Sequence, residues 1–348
     1  MRDASSKRPA TLKDVALAAG VSTATVSMIL NRRYQFKPEL EARVREAIVA
    51  LNYRQNPVAR SMATGLFGSI GLVVLDIRNP HFTNIVHGAS IKAQEHGYNL
   101  IVVDLKEDVS HARQTLDDLA RRVDGLILSL RLPQEARDLP LQLGKPAVLF
   151  GQTLHEPAPA PLSPSIQIRG WEAAMLLGRH IFEAGRKRLT YVGYSRSIWN
   201  ADRINALRTL AEGAGAEVRE VSVAAQTMEA GEAVAASLIY DAWRTDAIVC
   251  YNDMVAIGLL HGLCALGVRV PDDIMIAGFD NIPVSRYVTP SLTTVDMRSE
   301  DLGGGSLERL HRAIQSGDHS PGVELLEPRL VVRASTLAQR GGEAGAPR

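Results

Sequence analysis

Between residues 11 and 31 two short apolar-periodic stretches flank Gly20-Val21, a pattern that leaves room for little except two helices joined by a tight turn. Thr11 suits an N-cap, with Asp14 three residues on as a short-armed capping box. Leu12, Val15, Ala16 and Ala19 form the apolar side of the first helix, and Ser22 suits the cap of the second. On that second helix Val26, Ile29 and Leu30 share an inward face, while Thr23, Ala24, Ser27 and Met28 fall outward. A short helix with a buried apolar side and a small polar outer side fits a major-groove reader. The competing reading of this stretch alone is a two-helix corner in an ordinary bundle.

The next segment favours the DNA reader. Pro38 suits the first turn of a third helix. Leu40, Val44, Ala47, Ile48 and Leu51 then recur at helical spacing and close a three-helix core. Asn56-Pro57-Val58-Ala59-Arg60-Ser61-Met62 follows as a capped helix of one or two turns, too short to stand without a partner. Charge separates the two parts of the chain. Residues 1–65 hold eleven Lys and Arg against five Asp and Glu, a net of +6, whereas the remainder carries a net of −5. A basic head on a mildly acidic body points to a polyanion at one end only.

From Ser69 onward short apolar strands alternate with helices, the pattern of parallel βαβ units in a doubly wound sheet. The series then restarts. Leu189-Thr190-Tyr191-Val192 opens a passage like that of Ser69-Ile70-Gly71-Leu72, and Thr245-Asp246-Ala247-Ile248-Val249 echoes Val123-Asp124-Gly125-Leu126-Ile127. Two similar α/β lobes with a cleft between them follow from this duplication. Cys250 and Cys264 lie in apolar surroundings and read as core residues of a reducing compartment. With no membrane-length apolar run and no signal-like start, the expectation is a cytoplasmic protein that does not engage a membrane. Both ends, residues 1–9 and 341–348, have the composition of disordered tails.

Catalytic signatures fail in turn. Gly65, Gly68 and Gly71 do not make a dinucleotide fingerprint, and Gly144-Lys145 is followed by Pro146 and makes no phosphate loop. Gly193-Tyr194-Ser195-Arg196-Ser197 lacks the last glycine of a nucleophile elbow. No enzyme activity, cofactor or metal is expected. Strand ends are better candidates, because ligands of parallel sheets sit at the carboxyl ends of their strands. Asn79, His81 and Phe82 follow the first strand, Asp253 and Asp280 end strands of the second lobe, and Arg203 opens a helix after residues 191–194. Amide, guanidinium, carboxylate and aromatic face together suit a polar ring such as a sugar. The bland reading makes Asp253 and Asp280 helix caps, Phe82 core and Arg203 half of a surface ion pair.

Thr11-Leu12-Lys13-Asp14-Val15-Ala16, Gly20-Val21-Ser22, Thr25-Val26-Ser27, Asn31 and Leu51-Asn52-Tyr53 resemble the DNA-binding head of the LacI/GalR family of bacterial repressors. The segment from Asn56 to Met62 is similar to its hinge helix, and the likeness runs on to about Thr336. The resemblance implies a head over residues 1–65 with a hinge helix at about 56–64. It also implies an effector-binding and dimerisation body over 66–340, like periplasmic sugar-binding proteins. Lobe 1 would comprise about 66–163 and 296–325 and lobe 2 about 164–295 and 326–340, with crossings near Pro164, Val295 and Leu326.

In such a head Thr23, Ala24 and Met28 would face base edges, with Ser22 and Ser27 positioning phosphates. DNA-facing roles are also implied for Thr11, Thr25, Asn31, Tyr53, Asn56, Ala59 and Arg60, while Met62 stands where a leucine usually wedges into the minor groove. Phe82, Arg203, Asp253 and Asp280 fall on effector-contacting positions. Three departures stand out: Met28 where many relatives carry arginine, Ala206 and Leu207 where they carry a glycine and an aromatic, and Ile168-Arg169 where they carry Asp-Asn.

The function expected is a ligand-responsive repressor of carbohydrate-related genes that binds a palindromic operator as a homodimer, with association of two dimers left open. Its effector would be a sugar, or an acidic sugar derivative if Arg169 faces the pocket. The alternative is a cytoplasmic sugar-binding protein with a vestigial head.

Overall fold

A computed structural model of the 348-residue chain describes residues 10–30, 34, 36–54, 66–155 and 161–337. Asn31, the hinge segment with Asn56, Ala59, Arg60 and Met62, and both tails expected to be disordered lie outside the described residues. The chain divides into two units, Met1–Phe67 and Gly68–Arg348.

Among its described residues the first unit holds three helices, α1 (Leu12–Ala19), α2 (Thr23–Leu30) and α3 (Pro38–Ala50). The capping box at Thr11 is complete: its hydroxyl accepts from the Asp14 N–H at 3.3 Å, and its own N–H donates to the Asp14 carboxylate at 2.8 Å. Gly20 ends α1 at φ 65, a left-handed turn that glycine makes without strain. The Ser22 hydroxyl accepts from the Thr25 N–H at 3.1 Å and starts α2, whose axis turns 103° from that of α1. Val15, Ala16, Ala19, Val26, Ile29, Val44 and Ala47 fill the core, with Leu40 and Ile48 against it. Leu51 was expected in that stripe but is 37% exposed, because the helix stops at Ala50 and the chain turns away.

The second unit is built on two six-stranded sheets. The first runs β11-β5-β4-β3-β1-β2, with β1 (Ser69–Val74), β2 (Asn99–Asp104), β3 (Gly125–Ser129), β4 (Ala147–Gln152), β5 (Ser165–Ile168) and β11 (Val323–Leu326), all parallel. The second runs β12-β10-β9-β8-β6-β7, with β6 (Arg188–Gly193), β7 (Glu217–Ser222), β8 (Ala247–Cys250), β9 (Met275–Phe279), β10 (Thr293–Asp296) and β12 (Arg329–Val331). Only β12 runs antiparallel to its neighbour. Strands β3, β4, β5, β8 and β9 are buried throughout, as a sheet covered on both faces requires.

The duplication legible in the sequence is a structural repeat. The Asp124 carboxylate accepts from the Gly68 N–H at 2.8 Å, clipping the start of β1 beside β3. Asp246 does the same for β6 beside β8, accepting from the N–H groups of Lys187 and Arg188 at 3.0 Å each. In lobe 1 the helices Pro80–Glu95 and Ser299–Ser316 pack so closely that a Cβ on Gly303 would stand 1.9 Å from the Ile85 carbonyl oxygen.

One of the three crossings sits later in the chain than expected. β5 hydrogen-bonds to β4 and β11 in the first sheet, which moves the first crossing from Pro164 to Arg169. A four-residue buried strand has no periodicity to show which sheet will take it. The second crossing lies near Val295, at Met297-Arg298, where β10 has completed its pairing with β9 and β12. The third lies at Glu327-Pro328, between β11 and β12.

Candidate functional site

On α2 the core fixes which face is free. Val26 and Ile29 are buried, Ser22, Thr23, Ala24 and Met28 are exposed, and Thr25 and Ser27 are half-buried. The free strip therefore carries a hydroxyl, a methyl and a thioether, with Met28 40% exposed. Not every predicted contact is equally free. Thr11 is engaged in the α1 cap, and the Thr25 hydroxyl lies 2.9 Å from that of Ser22. Tyr53 packs against the helical core, where burial raises its phenol pKa. Lys13, Lys37, Arg43, Arg45 and Arg54 are exposed, with Arg45 paired to Glu41 at 3.0 Å.

In the body, strand ends from both lobes converge on a cavity of about 20 Å³. Five of the residues singled out in the sequence line it: Asn79, His81 and Phe82 from the first lobe, and Arg203 and Asp280 from the second. Asn79 caps the Pro80–Glu95 helix by accepting from the His81 N–H at 3.0 Å. His81 Nδ1 then lies 2.8 Å from the Ser299 hydroxyl of its own lobe and 3.5 Å from the Asp280 carboxylate of the second. Burial and the positive charges of Arg203 and Arg131 push the His81 pKa down to about 3, so the imidazole is neutral. Burial pushes Asp280 up to about 7 against the pull of Arg203. The pair is thus a polar contact between lobes and not a full ion pair at neutral pH.

Arg203 is 2% exposed. One Nη1 hydrogen bond goes to the Tyr251 carbonyl, and the guanidinium carbon stands 4.1 Å from the Phe279 ring centroid and 4.7 Å from that of Tyr251. Cation–π contact on two sides holds the group in place without spending its charge on a carboxylate.

Two predicted residues do not join this cavity. Arg169 lies on the surface at the first crossing, donating to Glu327 at 2.7 Å and to Glu172 at 3.2 Å. Since β5 stays in the first sheet, Arg169 meets the other crossing strand and not the cleft. Asp253 is wholly buried inside lobe 2, where its two oxygens accept from the Thr294 hydroxyl at 2.6 Å and the Ile282 N–H at 3.0 Å. Burial and the neighbouring Asp280 raise its pKa well above the usual range.

Other lining residues escaped the sequence reading. Arg131 forms a two-pronged ion pair with Glu107 at 3.0 and 2.6 Å, and Gln226 of the other lobe donates to the same carboxylate at 3.3 Å. Gln152, Trp199 and Tyr251 complete the wall, with the Tyr251 phenol donating to Ser197 at 2.7 Å. All follow or end a strand (β3, β4, β6, β7 or β8), so the strand-end rule applied to every strand would have found them.

Comparison with known proteins joins the two units. Residues 11–56 match the model of bacterial regulatory proteins of the lacI family, and residues 179–336 match a periplasmic binding protein-like domain. The chain is 31% identical over 331 residues to the HTH-type transcriptional repressor PurR of Photobacterium profundum, covering 94% of this chain and 98% of that one. It is 32% identical over 337 residues to the ribose operon repressor of Halalkalibacterium halodurans, covering 96% and 98%. Among solved structures, the lac repressor dimer bound to operator and the anti-inducer ONPF superposes with a TM-score of 0.83 at 25% identity, over 95% of this chain and 100% of that one. A transcriptional regulator CelR–cellobiose complex follows at a TM-score of 0.66 and 26% identity, over 94% and 99%. With an N-terminal helix-turn-helix unit, a two-lobed α/β unit and full-length likeness to these repressors, the chain belongs to the LacI family of DNA-binding transcriptional regulators.

Proposed function

We propose that this regulator binds a two-fold symmetric operator as a homodimer in the bacterial cytoplasm and represses carbohydrate-related genes until a sugar or sugar derivative enters the body cleft. The observation that carries this reading is the joint presence, in one chain, of a free α2 strip and a cleft walled by polar strand ends of both lobes. Thr23, Ala24 and Met28 face base edges, and Ser22 and Ser27 hold phosphates alongside Thr11, Thr25 and Tyr53. Asn31 adds a contact from the head, Asn56, Ala59 and Arg60 add contacts from the hinge, and Met62 is the apolar wedge at the operator centre.

No single helix among the described residues is long and apolar enough to cross a membrane. The named functions of the relatives support repression, and the cellobiose-bound neighbour supports a sugar in the cleft. A cavity of about 20 Å³ admits a water molecule and little more, so an effector requires the lobes to part and close again around it. It shifts operator affinity only by favouring one lobe arrangement over the other.

The test is selection of bound sequences from random duplex DNA by the full chain. A palindrome bound with steep salt dependence, released or tightened by a small molecule, is the expected result. Binding of sugars with no palindrome recovered would favour the carrier reading and remove the regulatory one.

A further inference from the structure

The cleft holds more positive charge than its own carboxylates answer. Arg131 is matched by Glu107, but no Asp or Glu of the described residues forms an ion pair with Arg203. Its Nη1 is committed to the Tyr251 carbonyl, and its Nε has no acceptor. That leaves the Nε–Nη2 edge, the side-on fork that carboxylates and phosphates take in bidentate fashion. Two further buried polar atoms on the same wall lack partners, the Trp199 Nε1 and the Gln152 Oε1. Trp199 only donates, and the Gln152 amide presents either its oxygen or its NH₂ according to which way it is turned. Asp253, the acceptor that the sequence offered to a neutral sugar, is spent on Thr294 and Ile282 inside lobe 2. Hydroxyl oxygens can accept from the free Nε–Nη2 edge, but an anion supplies charge as well as two acceptors and so answers a buried guanidinium more fully.

We propose that the cleft takes a small hydroxylated anion, its carboxylate or phosphate seated on the free edge of Arg203 with Trp199 as second donor and its hydroxyls toward Asn79, Gln152 and Asp280. The inference rests on the cleft being the effector site. It moves the source of positive charge from Arg169, which the fold places on the surface, to Arg203 backed by Arg131. Asp280, near half-ionised at neutral pH, stands beside the anion, so binding takes up a proton and weakens as pH rises past about 7.

Calorimetry and thermal shift of the full chain test it with matched probes: glucose against gluconate, glucuronate and glucose 6-phosphate, and ribose against ribonate and ribose 5-phosphate. The acid members are expected to bind and raise Tm, their neutral counterparts to bind at least about tenfold more weakly. The carboxylate and phosphate arms separate the two anion types. Arg203→Met is expected to weaken the acid by about 30-fold or more, and Arg203→Lys, which keeps charge but not the fork, to recover only part of it. Trp199→Phe gives a smaller loss and serves if the Arg203 variants fail to fold, while Arg169→Ala leaves binding unchanged. A neutral sugar binding as tightly as its acid, acid binding that survives Arg203→Met, or silence of every acid in the panel would each overturn the inference. DNA selection runs separately: a palindrome with a neutral effector sinks the anion alone, whereas no palindrome sinks the regulator reading and leaves the ligand result standing.

Discussion

Asp280 ends the strand that feeds the cleft, at φ 106, with its carboxyl between His81 and Arg203. Burial lifts its pKa from 3.8 to about 7. Between those two values the folded protein keeps a proton that the unfolded chain has already released. Stability linked to this group is therefore whole below about pH 4, falls as pH rises, and is lost above about pH 7. About three pH units at 1.36 kcal/mol each make the loss about 4 kcal/mol, a large share of the 5–15 kcal/mol typical of a folded domain. Asp280→Asn puts a neutral amide in the same place, and asparagine tolerates positive φ as well as aspartate does. The variant is expected to match the parent near pH 4.5 and to exceed it by up to about 4 kcal/mol at pH 8. Urea unfolding of both proteins at half-unit steps of pH, followed by far-ultraviolet circular dichroism, reads that difference directly. A gap between the two that stays flat from pH 4.5 to 8, or a variant less stable than the parent at pH 8, would refute the reasoning.

Three further perturbations separate packing from recognition. Asp253→Ala strands the Thr294 hydroxyl and the Ile282 N–H without an acceptor, at about 1–3 kcal/mol each, so Tm should fall sharply; a variant with parental Tm and a lost ligand response would return Asp253 to the cleft. Met28→Arg should change base preference at one position per half-site while overall affinity survives, and an unchanged consensus from DNA selection would deny Met28 any base contact. Gly303→Ala forces a Cβ to within 1.9 Å of the Ile85 carbonyl and should cost about 1–3 kcal/mol as the two helices separate; calorimetric melting at the parental Tm would show that the close approach is not needed.

The features legible in the sequence were those that local chemistry decides. Thr11 with Asp14, Gly20 and Ser22 each act within four residues of themselves, and the helix-turn-helix followed from them. The lobe repeat was legible because Asp124 and Asp246 meet the same need at the head of equivalent strands. What failed depended on partners far along the chain. Arg169 reads as a pocket cation until β5 joins the first sheet and brings Glu327, 158 residues away, to its Nε.

Asp253 and Asp280 look alike as strand-end carboxylates. The left-handed turn at Asp280 and Asn281 distinguishes them, because it leads the Ile282 N–H back onto Asp253 and seals that carboxylate in, while Asp280 stays against the cleft. A periodicity argument has no access to such a loop. Position relative to strand ends was the sound guide, and attention to carboxylates narrowed it too early. Arg131, Gln152 and Tyr251 occupy the same kind of place on β3, β4 and β8, and the cleft is shaped as much by their donors as by any acid. A site of this architecture is therefore better read from the polar residues just beyond every parallel strand, with its charge balance drawn only after buried pairs such as Arg131–Glu107 have been set aside.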